Sequence, residues 1–166
     1  MKVRLLVAAL AGAALFAGVV QAQQASAPSA PPPYGPPITL AQAKKVMAAA
    51  EAEAKKSPFP VAIYIVEPTG EMVMMERMDN TQYGSVTLAQ KKAEASAMFK
   101  RPSQVFQDHV QANVYLLTLG APTVVGGGLP IEVGGKIIGA IGVSGSPGSA
   151  QDEAVAKAGV EALGKK

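Results

Sequence analysis

The sequence contains no cysteine and no tryptophan, and a single histidine, His109, in 166 residues. Without thiols there is no disulfide framework and no thiol chemistry. With one imidazole, any histidine-dependent catalysis or metal ligation has one available agent. Charge is also scarce, at 16% of the residues, and the formal net charge is +3. Two of the basic residues, Lys2 and Arg4, lie ahead of an early apolar run, and without them 13 basic side chains face 12 acidic ones. That balance gives no indication of a nucleic-acid partner. Catalytic signatures are missing too. There is no G-x-S-x-G elbow, no H-E-x-x-H and no Walker loop, and the glycines between Gly139 and Gly145 lack the spacing of a dinucleotide fingerprint.

What is present begins with a processing signal. The apolar run from Leu5 to Val20 follows Lys2 and Arg4 and ends in Val20-Gln21-Ala22, a small-residue cleavage pattern. It is shorter than the ~20 apolar residues that a spanning helix needs. Residues 1–22 therefore read as a secretory signal peptide, which predicts an exported chain, periplasmic or extracellular, with no stable membrane span after cleavage. Residues 23–37 hold six prolines among alanine and serine, a composition that buries no core and favours an extended linker. Residues 38–166 are left for one folded unit.

Within that unit, Thr39-Leu40-Ala41-Gln42 is a capping box that opens a helix with an apolar stripe of Leu40, Ala43, Met47, Ala50 and Ala54, stopped by Ser57-Pro58. Val61–Glu67 and Met72–Met78 flank a Pro-Thr-Gly-Glu turn and predict a β-hairpin. Alanine content and spacing predict a helix over Ser85–Phe99. Pro102 opens another, reaching about Leu119, with a stripe of Phe106, Val110, Asn113 and Leu117. A second hairpin follows, Leu129–Val133 and Lys136–Ser144, turning at Gly134-Gly135. Its second strand places Ile137, Gly139, Ile141 and Val143 on one face and Ile138, Ala140, Gly142 and Ser144 on the other. Glycine packs nothing, so its repetition predicts the close approach of a helix or a flat ligand. Ser149-Ala150-Gln151-Asp152 reads as a capping box for a final helix. Short turns make the strand pairs antiparallel, and the fold class is α/β (α+β), an antiparallel sheet covered by helices.

Candidate ligand-binding residues are few. His109, just off the stripe of its helix, reads first as a surface or interface histidine; as a functional residue it would ligate haem iron. Met72, Met74, Met75 and Met78 read as soft core filling, with copper(I) or haem ligation as the functional alternative. Lys91, Lys92, Lys100 and Arg101 read as a solvated helix face, of which a subset can pair with propionates or organic acids. Met98 and Tyr83 are alternative iron ligands. Gly126-Gly127-Gly128 reads as a turn or as an anion cradle.

Taken together, these stretches resemble the GlcG/HbpS-type family, which includes the C-terminal domain of PduO proteins. The resemblance covers about Ile38 to Leu163. It rests on Thr39-Leu40-x-x-Ala43, Pro60-Val61-Ala62 through Gly70, Glu76-Arg77-Met78-Asp79, Ser85 through Lys92-Ala93, Phe99-x-Arg101-Pro102, Gly127-Gly128-x-Pro130-Ile131, the run Gly135 to Gly145, and Asp152-Glu153 before Ala158-Gly159. It implies a profilin-like three-layer α/β/α architecture with a five-stranded antiparallel sheet, haem as cofactor, and a homo-oligomer. The candidate cofactor-binding residues are then His109, Lys92, Lys100, Arg101 and Met98, with His109 on the metal because it is the only histidine. Two positions depart from the family pattern: Ala95 stands where a threonine near the haem is frequent, and Asn80 where glycine is usual. The function so implied is an exported haem-binding protein that sequesters or presents haem, without an evident catalytic site. The alternatives are an enzyme or accessory protein acting on haem or a small organic acid, and an oligomeric module serving a sensor partner.

Overall fold

The computed structural model describes residues 30–119 and 123–164, so the span read as a signal peptide and the first seven residues of the linker lie outside the described residues. Helix α1 (Leu40–Ala54) opens at the capping box. The Gln42 amide donates to Thr39 Oγ1 (3.2 Å) and the Thr39 amide to Gln42 Oε1 (2.9 Å). Leu40 is exposed, however, and Val46 takes its place in the buried stripe. Strands β1 (Ala62–Val66) and β2 (Met72–Arg77) form the first hairpin, and α2 (Tyr83–Phe99) follows. Helix α3 is shorter than its spacing predicts. It spans Gln104–Ala112 and gives way to a 3-10 helix over Val114–Leu119, because Asn113 turns extended (φ −152°) and its side chain accepts from the Tyr115 amide. None of α3's residues is buried, so the stripe read there does not enter the core. Strands β3 (Gly128–Val133) and β4 (Lys136–Ser144) turn at Gly134 (φ 58°) and Gly135 (φ 72°), and α4 (Ser149–Gly164) closes the chain.

The strands form one antiparallel sheet in the order β2-β1-β4-β3. Helices α1 and α4 bury Val46, Met47, Ala50, Val155 and Ala156 against Ile63, Ile65, Ile131, Ile141 and Val143 on one face. On the other face α2 buries Ala89, Ala93 and Ala97 against Ala62, Tyr64, Val66 and Ala140. The architecture is three-layered, with four strands among the described residues rather than five. Side chains take up the polar groups of residues 125–126 that a further strand would need: Ser103 Oγ donates to the Val125 carbonyl and Gln107 Oε1 accepts from the Gly126 amide. On the other side of β4, beyond the end of β1, residues 33–38 lie against the sheet. Tyr34 bridges Ile137 in parallel, with hydrogen bonds between Gly35 and Ile137, Ile137 and Pro33, and Ile38 and Ile138. Pro36 and Pro37 lack amide protons, which keeps this segment from becoming a regular strand.

Two bulges correct the side-chain alternation. In the β3–β4 pairing the register jumps between Ile131↔Gly139 and Glu132↔Ile137, and Ile138 then packs in the α1/α4 core beside Ile141 and Val143. In the β1–β2 pairing the jump falls between Ile65↔Met74 and Val66↔Met72. Met72 and Met75 therefore oppose Val66 and Tyr64, residues that face α2, while Met74 and Met78 pack toward α1 and α4.

Candidate functional site

Gly128 and Gly142 admit a helix rather than a flat ligand, whereas Gly139 lies against the Val66 carbonyl oxygen and Ile38. A Cβ on Gly142 would lie 2.1 Å from the Ala89 carbonyl oxygen and 2.5 Å from the Ala93 nitrogen. Its cross-strand partner Gly128 would meet the Lys92 carbonyl oxygen at 2.3 Å. Helix α2 thus lies directly on the backbone of β3 and β4, and its alanines are the counterpart of those glycines.

That close seat explains Lys92. Its side chain is not on a solvated face; it is buried at 1% exposure, and Nζ donates to Asp152 Oδ2 (2.8 Å) and to the Val143 carbonyl (2.8 Å). Asp152, read from the sequence as part of a cap, instead accepts from Lys92 and, through Oδ1, from the Ser146 amide (3.0 Å). The Lys92 ammonium is therefore committed inside the protein and does not present itself to a surface propionate. The loop over this pair is the Gly126–Gly128 run. The Gly126 amide donates to Gln107 and the Gly128 amide to Ser103 Oγ, so side chains already occupy two of the amides that an anion cradle would use. Gly127 (φ +111°) passes so close that a Cβ would sit 2.8 Å from Asp152 Cβ and 3.0 Å from Lys92 Nζ. Beneath the loop, Ser96 Oγ is buried without a hydrogen-bond partner. Ala95, at the position of the family threonine, is fully buried.

The other candidates lie outside the core, near the corner between α2 and α3. Helix α2 ends with Lys100 in the left-handed region (φ 55°). Tyr34 clamps this end: its hydroxyl donates to the Ala97 (2.9 Å) and Met98 (3.0 Å) carbonyls, and Lys100 Nζ lies 4.1 Å from its ring centroid. Arg101 is exposed, and its Nε donates to the Phe99 carbonyl (3.0 Å). Phe99 meets Phe106 of α3 edge-on at 5.2 Å, which joins the two helices. His109 is exposed in the last turn of α3, and the following residues leave Val114, Tyr115 and Leu117 largely in solvent. The structure thus puts Lys100 and Arg101 at the turn between α2 and α3 and His109 in the last turn of α3, leaves Met98 exposed beside Gly70, and removes Lys92 to the interior.

Chemically, the corner provides apolar side chains, two cations and one imidazole. By residue type, exposed apolar side chains (Phe99, Val114, Tyr115 and Leu117), two cations (Lys100 and Arg101) and one imidazole (His109) are the kinds of group that a haem site uses. Among the described residues no cluster of three histidine, aspartate or glutamate side chains stands ready for a metal ion. Sequence reasoning missed Tyr34, because its proline-rich surroundings read as a spacer. It also missed the pairing of Lys92 with Asp152, which lie 60 residues apart.

A second feature lies between α1 and β2, where Glu51, Lys55, Glu76, Arg77, Met78 and Asp79 line an open cleft. Burial, then the neighbouring Glu51 carboxylate, pushes the Glu76 carboxyl above its ordinary value, with Lys55 acting in the opposite direction. No helix among the described residues is long and apolar enough to cross a membrane.

Comparison with known proteins agrees with the fold. The model of the family described as "Haem degrading protein HbpS-like" matches residues 38–161. Protein GlcG of Escherichia coli strain K12 is 35% identical over 108 residues, spanning 64% of this chain and 81% of GlcG. The crystal structure of HbpS superposes with a TM-score of 0.72 at 27% identity, covering 79% of this chain and 93% of that one. The crystal structure of a PduOC:heme complex superposes with a TM-score of 0.70 at 26% identity, covering 76% of this chain and 95% of that one. With three-quarters of its length matched by the family model and its layers matched by these structures, this chain belongs to the HbpS-like family.

Proposed function

We propose that this protein is an exported haem-binding protein that sequesters or presents haem. The observation that carries the reading is the likeness to a relative whose structure was solved as a haem complex, PduOC. The α2–α3 corner supports it, since its exposed apolar side chains, cations and imidazole match the three chemical parts of haem. Bound there, haem would bring an iron centre open to axial ligation. The chain's own part is to cover one face of the ring with Phe99, Val114, Tyr115 and Leu117, to meet the propionates with Lys100 and Arg101, and to offer the His109 imidazole. A second copy of the chain would cover the remaining face, and the exposure of Tyr115 at 78% and Val114 at 66% favours such an assembly.

A haemin titration of the purified protein, followed by absorption and by light scattering, tests this. Binding should produce a shifted Soret band. His109→Ala should alter that band, and Lys100→Ala/Arg101→Ala should weaken affinity roughly tenfold, as expected for two charge-assisted contacts. If both variants keep the wild-type spectrum and affinity, the corner is not the haem site. Consumption of haem in the presence of a reductant would instead favour the enzymatic reading.

A further inference from the structure

Strict alternation puts Met72, Met74 and Met78 on one face of the strand and Met75 on the other, but the bulge divides these methionines differently. Met74 and Met78 turn into the α1/α4 core, whereas Met72 is 58% and Met75 40% exposed. The register explains the division. Met72 lies across from Val66 and Met75 across from Tyr64, so the bulge puts both on the α2 side of the sheet. Because Val66 and Tyr64 are two residues apart on one strand, the roots of the two methionines are separated by roughly 7 Å. Helix α2 packs over β1, β4 and β3, leaving this face of the edge strand open. At the turn that leads into β2, Met98 of α2 closes the end of the shelf. Its Sδ lies 3.8 Å from where a Cβ on Gly70 would stand, and Glu94, one turn earlier, has its Cγ at 3.7 Å from the same point. Met98 itself is 54% exposed.

We propose that Met72, Met75 and Met98 form a thioether site for a soft monovalent metal ion of the copper(I) class. Three flexible thioether side chains border one open shelf, Met72 and Met75 along β2 and Met98 at its turn end, and no cysteine anywhere in the chain offers a softer donor. Exposed methionine on a sheet edge is otherwise a poor choice, since edges are ordinarily guarded by charge. Two carboxylates lie close by, Glu71 and Glu94, of which Glu94 is paired with Lys91 (3.0 Å) and accepts from Gln90 (2.7 Å); after burial itself, they are what raises the pKa of the Tyr64 phenol across from Met75. The thioethers select a soft cation over a hard one. The site shares no residue with the Lys100, Arg101 and His109 corner, so it stands or falls independently of haem binding.

The test uses the full chain with methionine methyl groups labelled for NMR and silver(I) as a redox-inert probe, alongside competition for copper(I) against a coloured chelator. Silver(I) should shift the methyl signals of Met72, Met75 and Met98 at one equivalent and leave those of Met47, Met74 and Met78 in place. Each of Met72→Leu, Met75→Leu and Met98→Leu should weaken copper(I) binding roughly tenfold or more, and the triple variant should fail to compete. Leucine preserves apolar area, so a patch that merely packs against another surface would survive these changes. Unshifted methyl signals, or a triple variant that competes as well as wild type, would overturn the proposal.

Discussion

At the residue scale, a lysine with 1% of its side chain exposed depends on its partner. Lys92→Met leaves the Asp152 carboxylate buried without its cation and should cost about 3–5 kcal/mol in chemical denaturation. Lys92→Met/Asp152→Leu should recover most of that loss, because two apolar groups need no pairing. A double variant as unstable as the single one would show that shape, not charge, matters there. Glu76 makes the opposite kind of statement. The folded state holds its proton more tightly than the unfolded chain does, so its contribution to stability is fully present below the ordinary glutamate range and is lost as pH rises through the raised folded value. Glu76→Gln should flatten that decline and raise stability at neutral pH by under ~1 kcal/mol, the scale of partly exposed charges. Urea midpoints taken from about pH 4 to about pH 7 read this directly. A variant with the wild-type pH profile would disprove it.

At the scale of elements, the seat of α2 on the sheet makes two glycines of this chain opposites. Gly142→Val drives a side chain into the α2 backbone and should cost at least the ~1–3 kcal/mol of an overpacked core, since a helix cannot yield as a side chain would. Gly84, in the first turn of α2, has nothing within 4 Å of a prospective Cβ. Gly84→Ala should therefore stabilise by up to ~1 kcal/mol through helix propensity. Thermal melts of the pair decide whether close packing or chain flexibility sets the value of these glycines. The same elements show what was legible beforehand. The Thr39–Gln42 cap and the Gly134-Gly135 turn were readable because their geometry is enforced by neighbours in sequence. The facing of Ile138 and of Met72 was not, because a bulge is a property of two strands, and strict alternation along one strand cannot register it. The end of α3 at Asn113 was missed for a related reason: a periodic stripe says nothing of whether a neighbour exists to cover it.

At the scale of the whole molecule, a helix-covered antiparallel sheet followed from the order of helical and extended segments and its three layers from the family resemblance, yet the site did not follow from its residue types. Lys92 and Lys100 look alike in sequence; only the tertiary packing sends one inward to Asp152 and leaves the other over Tyr34. Export belongs at this scale too. The protein recovered from outside the cytoplasm should begin near Gln23, as N-terminal sequencing would show, and a chain starting at Met1 in the cytosol would contradict it. The sheet topology adds a constraint in time. β1 completes its pairing only with β4, where Ala62 meets Ser144, so the centre of the sheet cannot close until nearly the last residues are available. Local hairpins form early, but the contacts that make the core are distant in sequence, and such topologies fold slowly. A chain emerging from the ribosome lacks the β1–β4 pairing until Ser144 has been made, and an exported chain would be threaded across a membrane in that unpaired state.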